Sequence, residues 1–457
     1  MAITERGADP FTAEEKIAEL KNLVSDVIIA AKKAGADDVE VGVGCTKGIS
    51  VEVRLGEIET IEHHQDKGIS LITYIGKKKG GVSINDFSRT ALKESIDAAL
   101  NIAKYAEVDE YAGIAESDLL ATQVQDLDLF HPNEFSPLEA IELAKLAEDS
   151  AMSFDPRITN SDGASYSNSL KYKVYGNSNG FVGGYPSTSY YLSTVAIAKD
   201  ENGTMERDYD YTVSREFDNL ANAEDVGKNA ARHTLSRLGS KKISTTKLPV
   251  IFSAKCATGL VGHFLSAISG GAIYRKSSFL LDKIKSEIFP EFINVFERPH
   301  ILKGLGSSPF DSDGLPTMDQ SFIESGILQK YILSVYSARR LNMKPTANSG
   351  GVHNLSFSGD DKHTMSKKDL IQSMDKGIIV TELMGQGINI VTGDYSRGAT
   401  GFYVENGEIQ YPVSEITIAG NLMSMFKQVS LLGNDLETRG NIAVGSILLD
   451  EMMIAGI

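Results

Sequence analysis

Alternation of apolar and polar residues is the feature of this sequence that most constrains its fold. Within residues 39–84, apolar residues occupy every second position in several successive segments. Since successive side chains of a β-strand point to opposite faces, a period of two predicts strands with one buried face. Segments that follow one another this closely predict an antiparallel meander. The run GVGCTKG at residues 42–48 lacks the Gly-Lys-Ser/Thr ending of a phosphate-binding loop, and we predict a turn there.

The strongest local signal is a predicted hairpin near the C-terminus. Asn406-Gly407 lies between two alternating segments at residues 402–405 and 408–411. Asn-Gly accepts the positive φ angles that a type I′ turn requires, so the two segments should pair as a tight β-hairpin. Residues 385–393, which precede it, are predicted to form a glycine-rich strand. Glycines in such a stretch indicate a close approach of the backbone to another chain, a ligand or itself.

A charged and aromatic cluster, DYSR at residues 394–397, separates these glycines from the hairpin. Ion pairs are most often structural, so one interpretation is an Asp394/Arg397 pair that fixes a loop. The alternative is a functional site. The substrate-binding residues that this alternative predicts are Asp394, Tyr395, Arg397, Gly385 and Gly387.

Helix signals divide the chain into units. Capping boxes at Thr12/Glu15 and Ser136/Glu139 begin two helices, and helical spacing of apolar residues predicts further helices at 88–106, 224–238 and 254–268. Residues 107–135 are acidic and irregular, which indicates a surface linker. We therefore predict an α+β fold, dominated by antiparallel sheets with flanking helices. The expected divisions are two helix-and-strand units at 1–110 and 136–241, a linker at 111–135, and a strand-rich C-terminal domain at 242–457.

Composition narrows the function classes. A net charge of −16 disfavours nucleic acid as a partner, because phosphate contacts need clustered lysine and arginine. No apolar run reaches the ~18 residues that a membrane span needs, and the N-terminus shows no apolar export segment, so we expect a cytoplasmic protein without a membrane partner. The two cysteines, Cys45 and Cys256, form no C-x-x-C pattern and predict neither a disulfide framework nor a zinc ribbon.

Familiar motifs for metal or nucleophilic catalysis are missing from the sequence. None of the eight histidines is followed by glutamate, so HExxH is absent. Cys256 and His263 lie in or beside one predicted helix, but seven residues at a rise of 1.5 Å separate them by ~10 Å, too far for one zinc ion. From the residues alone, His263 is interpreted as a packed core histidine. There is also no G-x-S-x-G nucleophile motif, and residues 385–393 open no predicted helix that would bind a dinucleotide.

Several long phrases resemble the TldD/PmbA family, and specifically its PmbA (TldE) branch. They are TGDYSRGATGFYVENGEIQYPVSEITIAGNL at 392–422, ATGLVGHFLSAISGGAIYRKSSFLLD at 257–282, LKGLGSSPFDSDG at 302–314 and VYSARRL at 335–341. In the TldD branch, the helix aligned with residues 254–268 carries HExxxH, whose histidines bind the metal of a metallopeptidase together with a cysteine near the C-terminus. The resemblance implies that Thr258 replaces the first histidine, Gly259 replaces the glutamate and only His263 is kept. Val444 falls near the position of the cysteine and cannot ligate.

The resemblance also implies a function. It implies that this chain is a metal-poor subunit without a cofactor of its own. Such a subunit would pair with a zinc-carrying TldD-like homologue to cleave unfolded or small peptides, including peptide precursors and labile antitoxins. This chain would shape a peptide channel from sheet edges near residues 385–393. One rival is a catalytically silent protein that regulates DNA gyrase or another partner, and another is a homodimeric hydrolase with an unrecognised site. We expect at least a homodimer when the chain is alone, because the apolar tail at residues 447–454 needs covering.

Overall fold

A computed structural model describes residues 12–133 and 135–456. Its helices are α1 (Ala13–Lys33), α2 (Arg89–Tyr105), α3 (Pro137–Met152), α4 (Ala223–Ser236), α5 (Ala254–Ala267), α6 (Gly270–Tyr274), α7 (Val335–Leu341), α8 (Lys367–Gln372) and α9 (Leu422–Lys427). The strands of the N-terminal part are β1 (Asp38–Arg54), β2 (Glu57–Ile75), β3 (Lys78–Ile84), β4 (Ile158–Asn177), β5 (Val182–Lys199) and β6 (Met205–Ser214). The C-terminal strands are β7 (Thr246–Phe252), β8 (Asn294–Glu297), β9 (Gln320–Glu324), β10 (Ile327–Leu328), β11 (Leu355–Ser358), β12 (Thr364–Met365), β13 (Lys376–Met384), β14 (Asp394–Glu405), β15 (Glu408–Asn421), β16 (Val429–Gly433), β17 (Ile442–Ala443) and β18 (Ile447–Ala455).

The predicted α+β class with dominant antiparallel sheets is confirmed. Among the residues that the structure describes, no helix combines the length and the apolar character that crossing a bilayer requires.

The first six strands form one antiparallel sheet in the order β3-β2-β1-β4-β5-β6, so both helix-and-strand units share it. β1 and β2 pair along their full lengths, from Asp38 with Tyr74 to Arg54 with Glu57. The turn predicted at residues 42–48 is wrong, because β1 runs straight through this segment. Residues 42–47 pair with β2 on one side and with β4 on the other. Two neighbouring strands therefore outweigh the weak strand propensity of the glycines.

Helices cover one face of this sheet in two groups. α1 and α2 pack over one end of β1 at Val41 and Val43, whereas α3 and α4 pack over the other end at Val51 and Val53. Both predicted capping boxes are formed at the starts of α1 and α3. The opposite face of the sheet looks toward the C-terminal part of the chain, where Gly314 contacts Tyr175.

The segment at residues 107–135, predicted to lie on the surface, is irregular but partly buried. Leu120 packs in one apolar cluster with Phe310 of the C-terminal part. Arg339 of α7 donates hydrogen bonds to the carbonyl oxygens of Gly113 at 2.8 Å and Ile114 at 2.6 Å. The apolar residues of this segment therefore anchor it to the C-terminal part, while acidic residues between them, such as Asp118, stay exposed.

Two sheets build the C-terminal part. One has the order β10-β9-β8-β11-β17, and the other has the order β12-β16-β18-β15-β14-β13-β7. An additional pairing of β18 with β7 closes five strands of the second sheet into a ring. The predicted hairpin joins β14 to β15, and Asn406 and Gly407 have φ angles of 54° and 72°. This prediction is confirmed, since both central residues have the positive φ of a type I′ turn.

The apolar tail is part of the C-terminal core. Residues 447–455 form β18, which pairs with β7, β15 and β16. Ile447, Leu449, Met452 and Ile454 are each at most 3% exposed. The expectation that this tail needs a partner to cover it is therefore wrong, because the chain covers the tail itself.

Candidate functional site

The pleat of β14 separates the members of the predicted charged cluster. Asp394 is exposed and accepts a hydrogen bond from Thr392 Oγ1 at 2.6 Å. Tyr395 is 2% exposed, and the half-buried Arg397 leaves the strand on the same face as Tyr395. The ion-pair interpretation is wrong, because Asp394 and Arg397 point to opposite faces. Arg397 instead donates from Nη2 to the carbonyl oxygen of Leu383 at 3.3 Å.

Residues 385–393 form a loop that folds back on β14, so the predicted glycine-rich strand is wrong. The Ser396 N–H donates to the Gly387 carbonyl oxygen at 2.7 Å, and the Asn389 N–H donates to the Asp394 carbonyl oxygen at 2.9 Å. A Cβ atom at Gly387 would lie 1.9 Å from the Ser396 carbonyl oxygen, and Gly385 has a φ of +79°. The glycines thus let the loop approach its own chain. The loop hydrogen-bonds to backbone groups at the start of β14, and these groups are therefore not free to pair with a peptide.

α5 places His263 beside this strand. The centres of the His263 and Tyr395 rings are 6.0 Å apart, in an edge-to-face arrangement. Thr258 turns its hydroxyl into its own helix and donates to the carbonyl oxygen of Lys255 at 2.7 Å. The space around the Cα of Gly259 is open. Of these three positions on α5, only His263 meets the cluster on β14.

Burial and the guanidinium of Arg397 set the protonation states in this cluster. Burial, and then Arg397, lower the pKa of His263, so its imidazole is neutral at pH 7. Burial raises the pKa of Tyr395 against the opposing effect of Arg397, so the hydroxyl keeps its proton. Burial also raises the pKa of Cys256 to about 11, and this residue is a thiol rather than a nucleophilic thiolate. Arg397 is therefore a fixed positive charge beside three neutral side chains.

Three polar atoms of the cluster are buried with no hydrogen-bond partner in the part of the chain that the structure describes. They are Ser253 Oγ, His263 Nε2 and Arg397 Nε. Ser253 precedes α5 as its N-cap residue and is 8% exposed, yet its hydroxyl caps no backbone N–H. Leaving a buried polar atom unpaired costs about 1–3 kcal/mol. Unpaired groups from the start of α5, its middle and β14 are typical of a site that binds a ligand.

Sequence reasoning missed a second arginine beside this cluster. Arg237, at the end of α4, forms ion pairs with Glu382 at 2.6 Å, Asp208 at 3.3 Å and Glu206 at 3.4 Å. These carboxylates come from β13 and β6, so Arg237 ties the N-terminal sheet to the strand next to β14. No signal in the sequence connects these distant segments. Ser253 was also missed, although a serine directly before a predicted helix is a readable N-cap signal.

The residues at the predicted metal position do not fit a metal ion. His263 offers one neutral imidazole, Thr258 is bonded within its helix, and Val444 is apolar and 0% exposed. Across residues 12–133 and 135–456, no three or more His, Cys, Asp or Glu side chains are grouped so that they could hold a metal. Since a zinc site takes at least three protein ligands, this donor set is insufficient.

Comparison with known protein families matches three successive regions of the chain. Models of the PmbA/TldA metallopeptidases match residues 39–103 as domain 1, 130–238 as the central domain and 245–456 as the C-terminal domain. The chain belongs to the PmbA/TldD metallopeptidase family. It is 49% identical to Metalloprotease PmbA of Escherichia coli O157:H7, with 100% of each chain covered. It is 47% identical to a Metalloprotease PmbA homolog of Haemophilus influenzae, with 96% of each chain covered.

Solved structures share the fold over nearly the whole length of this PmbA/TldD family member. A protein of Bacteroides thetaiotaomicron, described as a candidate modulator of DNA gyrase, superposes with a TM-score of 0.90 at 28% identity and covers 96% of this chain and 99% of its own. TldE of Thermococcus kodakarensis superposes with a TM-score of 0.81 at 21% identity, over 95% and 100% of the two chains, and shows the fold alone. The resemblance deduced from the sequence is confirmed.

Proposed function

We propose that this chain is the subunit without metal in a two-chain peptidase of the PmbA/TldD family. Its partner is a TldD-like homologue that holds the zinc, and the substrates are unfolded or small peptides such as peptide precursors and labile antitoxins. The proposed compartment is the cytoplasm, which cell fractionation tests. Membership of a metallopeptidase family supports the reaction class. The division of labour between two chains is our inference.

The donor set on α5 carries this proposal. Metal-assisted hydrolysis of a peptide needs a metal with an open position and, in addition, a general base. On α5, only His263 among the three aligned positions has a ligand atom free of helix contacts, and Gly259 can supply no base. A family reaction that depends on a metal would therefore need the metal from a second chain.

The cluster around Arg397 supports a role in substrate binding. Its guanidinium is a planar fork of donors that suits a peptide carbonyl or carboxylate, and its Nε has no partner among the described residues. The neutral His263 and the hydroxyl of Ser253 add two further unpaired polar atoms nearby. We assign this cluster to positioning of the peptide, which leaves bond cleavage to the partner.

Reconstitution tests the proposal. The purified chain, the TldD-like homologue and their mixture are each incubated with an unfolded peptide, with and without a chelator, and cleavage is followed by mass spectrometry. The expected result is cleavage by the mixture that the chelator abolishes, and none by this chain alone. His263→Ala should leave the zinc content of the mixture unchanged, because His263 is not assigned as a ligand.

Three results would contradict this assignment. Chelator-sensitive cleavage by this chain alone, at the rate of the mixture, would make it a complete enzyme. Failure of the two chains to associate, with full activity of the homologue alone, would remove the subunit role. An effect on DNA gyrase without any peptide cleavage would favour the regulatory alternative.

A further inference from the structure

Two neighbouring cavities lie on the face of the N-terminal sheet that the helices leave uncovered. The first has a volume of about 350 Å³ and lies between the sheet, residues 107–115 and the start of α7. The second has a volume of about 470 Å³ and is an open groove over β1, β2 and β4. Tyr175 lines both cavities, so the two spaces adjoin. Both lie away from the cluster around Arg397.

The wall of the first cavity is made largely of hydrogen-bond acceptors. Glu40 accepts hydrogen bonds from the hydroxyls of Tyr74 at 2.7 Å and Tyr175 at 3.0 Å. Asp109 accepts one from the Tyr336 hydroxyl at 2.8 Å. These three tyrosines line the cavity, and their protons are committed to carboxylates. The hydroxyls can therefore offer only acceptor lone pairs to a ligand.

The charge of this wall favours a cation. Glu40, Glu107, Asp109 and Asp313 all line the cavity, and Lys79 is the one cationic side chain among the lining residues that the structure describes. Burial and the Glu40 carboxylate raise the pKa of Tyr74 and Tyr175, which keeps both hydroxyls protonated. A ligand that donates several hydrogen bonds and carries positive charge, such as a primary ammonium group, complements such a wall.

The exposed Lys79 ammonium lines the same cavity and makes no hydrogen bond or ion pair with the residues that the structure describes. Because an ammonium only donates, a ligand that fits the whole wall needs an acceptor as well. A polyamine has no acceptor for this ammonium, whereas a peptide amino terminus combines an ammonium with a carbonyl oxygen.

The adjoining groove has room for an extended chain because its floor lacks side chains. Gly42 and Gly44 of β1 line it, and a Cβ at either position would meet nothing within 4 Å. Both glycines belong to the GVGCTKG run, which lies inside β1 and forms no turn. Gly68 of β2 lines the groove beside them. Glycine inside a strand often marks a close approach of a ligand or another backbone.

We propose that the two cavities form one binding site for the amino-terminal end of a short peptide. The ammonium lies in the acidic cavity near Glu40 and Asp109, Lys79 faces the first carbonyl group, and the following residues lie over Gly42 and Gly44. This site does not depend on the peptidase role proposed above, because the chain alone provides all of its walls.

Fluorescence polarisation with the purified chain tests the proposed ligand. The probe is a tetra-alanine peptide with fluorescein on the side chain of a C-terminal lysine, which leaves the amino terminus free. Its N-acetylated form should bind about tenfold more weakly or worse, because it lacks the charged donor. Equal binding of the two forms, or no binding of either at millimolar chain concentration, would overturn the proposal. Displacement by spermidine as effective as displacement by unlabelled tetra-alanine would overturn its assignment to peptides.

Matched variants test the location of the site. Gly44→Val fills the groove without a strained φ angle and should weaken the free-amine peptide about tenfold, and Asp109→Asn should weaken it about fivefold. Gly440→Val, at another glycine with open space, and Asp118→Asn, at an exposed carboxylate of the same segment as Asp109, should leave affinity unchanged. Thermal melting confirms that each variant is folded. Unchanged affinity in both folded site variants would contradict the proposed location.

Discussion

Arg397→Lys separates a role in substrate binding from a role in stability. Among the residues that the structure describes, Arg397 has no carboxylate partner; it lies beside the Tyr395 hydroxyl and donates a hydrogen bond to the Leu383 carbonyl oxygen at 3.3 Å. Lysine keeps the positive charge beside His263 but loses the planar fork of donors. We expect this substitution to leave folding nearly intact and to reduce peptide cleavage by the reconstituted pair.

The expected magnitudes follow from these contacts. A hydrogen bond from a charged donor contributes about 1.5–3 kcal/mol in good geometry, and the long 3.3 Å contact places its loss at about 1 kcal/mol or less. In domains of 150–250 residues, 1 kcal/mol corresponds to about 2–4 °C in Tm, so a shift of about 2 °C or less is expected for this longer chain. If Arg397 holds the substrate through its fork, kcat/KM should fall about tenfold or more, which equals roughly 1.4 kcal/mol.

Arg237→Lys is the matched control. Arg237 has three carboxylate partners between 2.6 and 3.4 Å, and its side chain is 13% exposed. Removing one partner from a buried ion pair lowers the free energy of unfolding by about 3–5 kcal/mol. Because lysine keeps one of the several contacts, we expect Arg237→Lys to lower it by about 2 kcal/mol. Thermal melting and cleavage rates are measured on the same preparations. If Arg397→Lys lowers Tm as much as Arg237→Lys does, with activity following the folded fraction, Arg397 is a structural residue and the substrate-binding role is refuted.

Three further predictions concern metal, assembly and pH. Elemental analysis of the chain purified without nickel resin should find no stoichiometric zinc, and one tightly bound zinc per chain would contradict the alignment of α5. Light scattering of the chain mixed with a TldD-like homologue at tens of micromolar should show a complex, because the subunit role requires the two chains to associate, and a chain that stays monomeric in this mixture would remove that role. Because the folded pKa of His263 lies below its unfolded value, the unfolded state gains this proton first as the pH falls, and the contribution of His263 to the free energy of unfolding decreases below about pH 6.5. Arg397→Met should raise the pKa of His263 in an NMR titration and make this loss smaller, because the folded pKa then lies closer to the unfolded value, and an unchanged pKa would show that Arg397 does not act on the imidazole.

Local signals in the sequence predicted the elements whose geometry is local. Asn406-Gly407 fixes its own turn through φ angles that few other residues adopt, and Thr12/Glu15 forms a capping box within one helical turn. The same kind of signal failed at residues 42–48, where glycines that favour a turn lie inside a strand. The difference lies in the partners, because β2 and β4 hold this strand from both sides and neither partnership is visible from the glycines themselves.

The candidate site was only partly predictable for a related reason. A spacing of three residues brings Asp394 and Arg397 together on a helix but places them on opposite faces of a strand. The predicted ion pair failed because the sequence did not show that β14 begins at Asp394. The contact of His263 with Tyr395 joins α5 to β14 across a large sequence separation, and no periodicity connects them. The apolar tail shows the same limit, since its pattern predicts a buried strand and an exposed interface equally well until β7 and β15 are known to pair with it.

The contrast between two neighbouring arginines explains why we place the substrate contact at the α5/β14 cluster. Arg237 has three carboxylate partners, although its Nε also lacks a hydrogen bond, whereas Arg397 has no carboxylate partner in the part of the chain that the structure describes. Beside Arg397, Ser253 and His263 each have a buried polar atom without a partner among the same residues. At about 1–3 kcal/mol for each atom, these groups would be replaced by apolar side chains if the site served stability alone. Phe264, the next residue of the same helix, is 0% exposed. The surroundings of His263 therefore accept a large apolar side chain. Polar groups that remain unpaired in such surroundings are explained best by a partner that binds them transiently, and a peptide bound during cleavage supplies carbonyl and amide groups of the required kind.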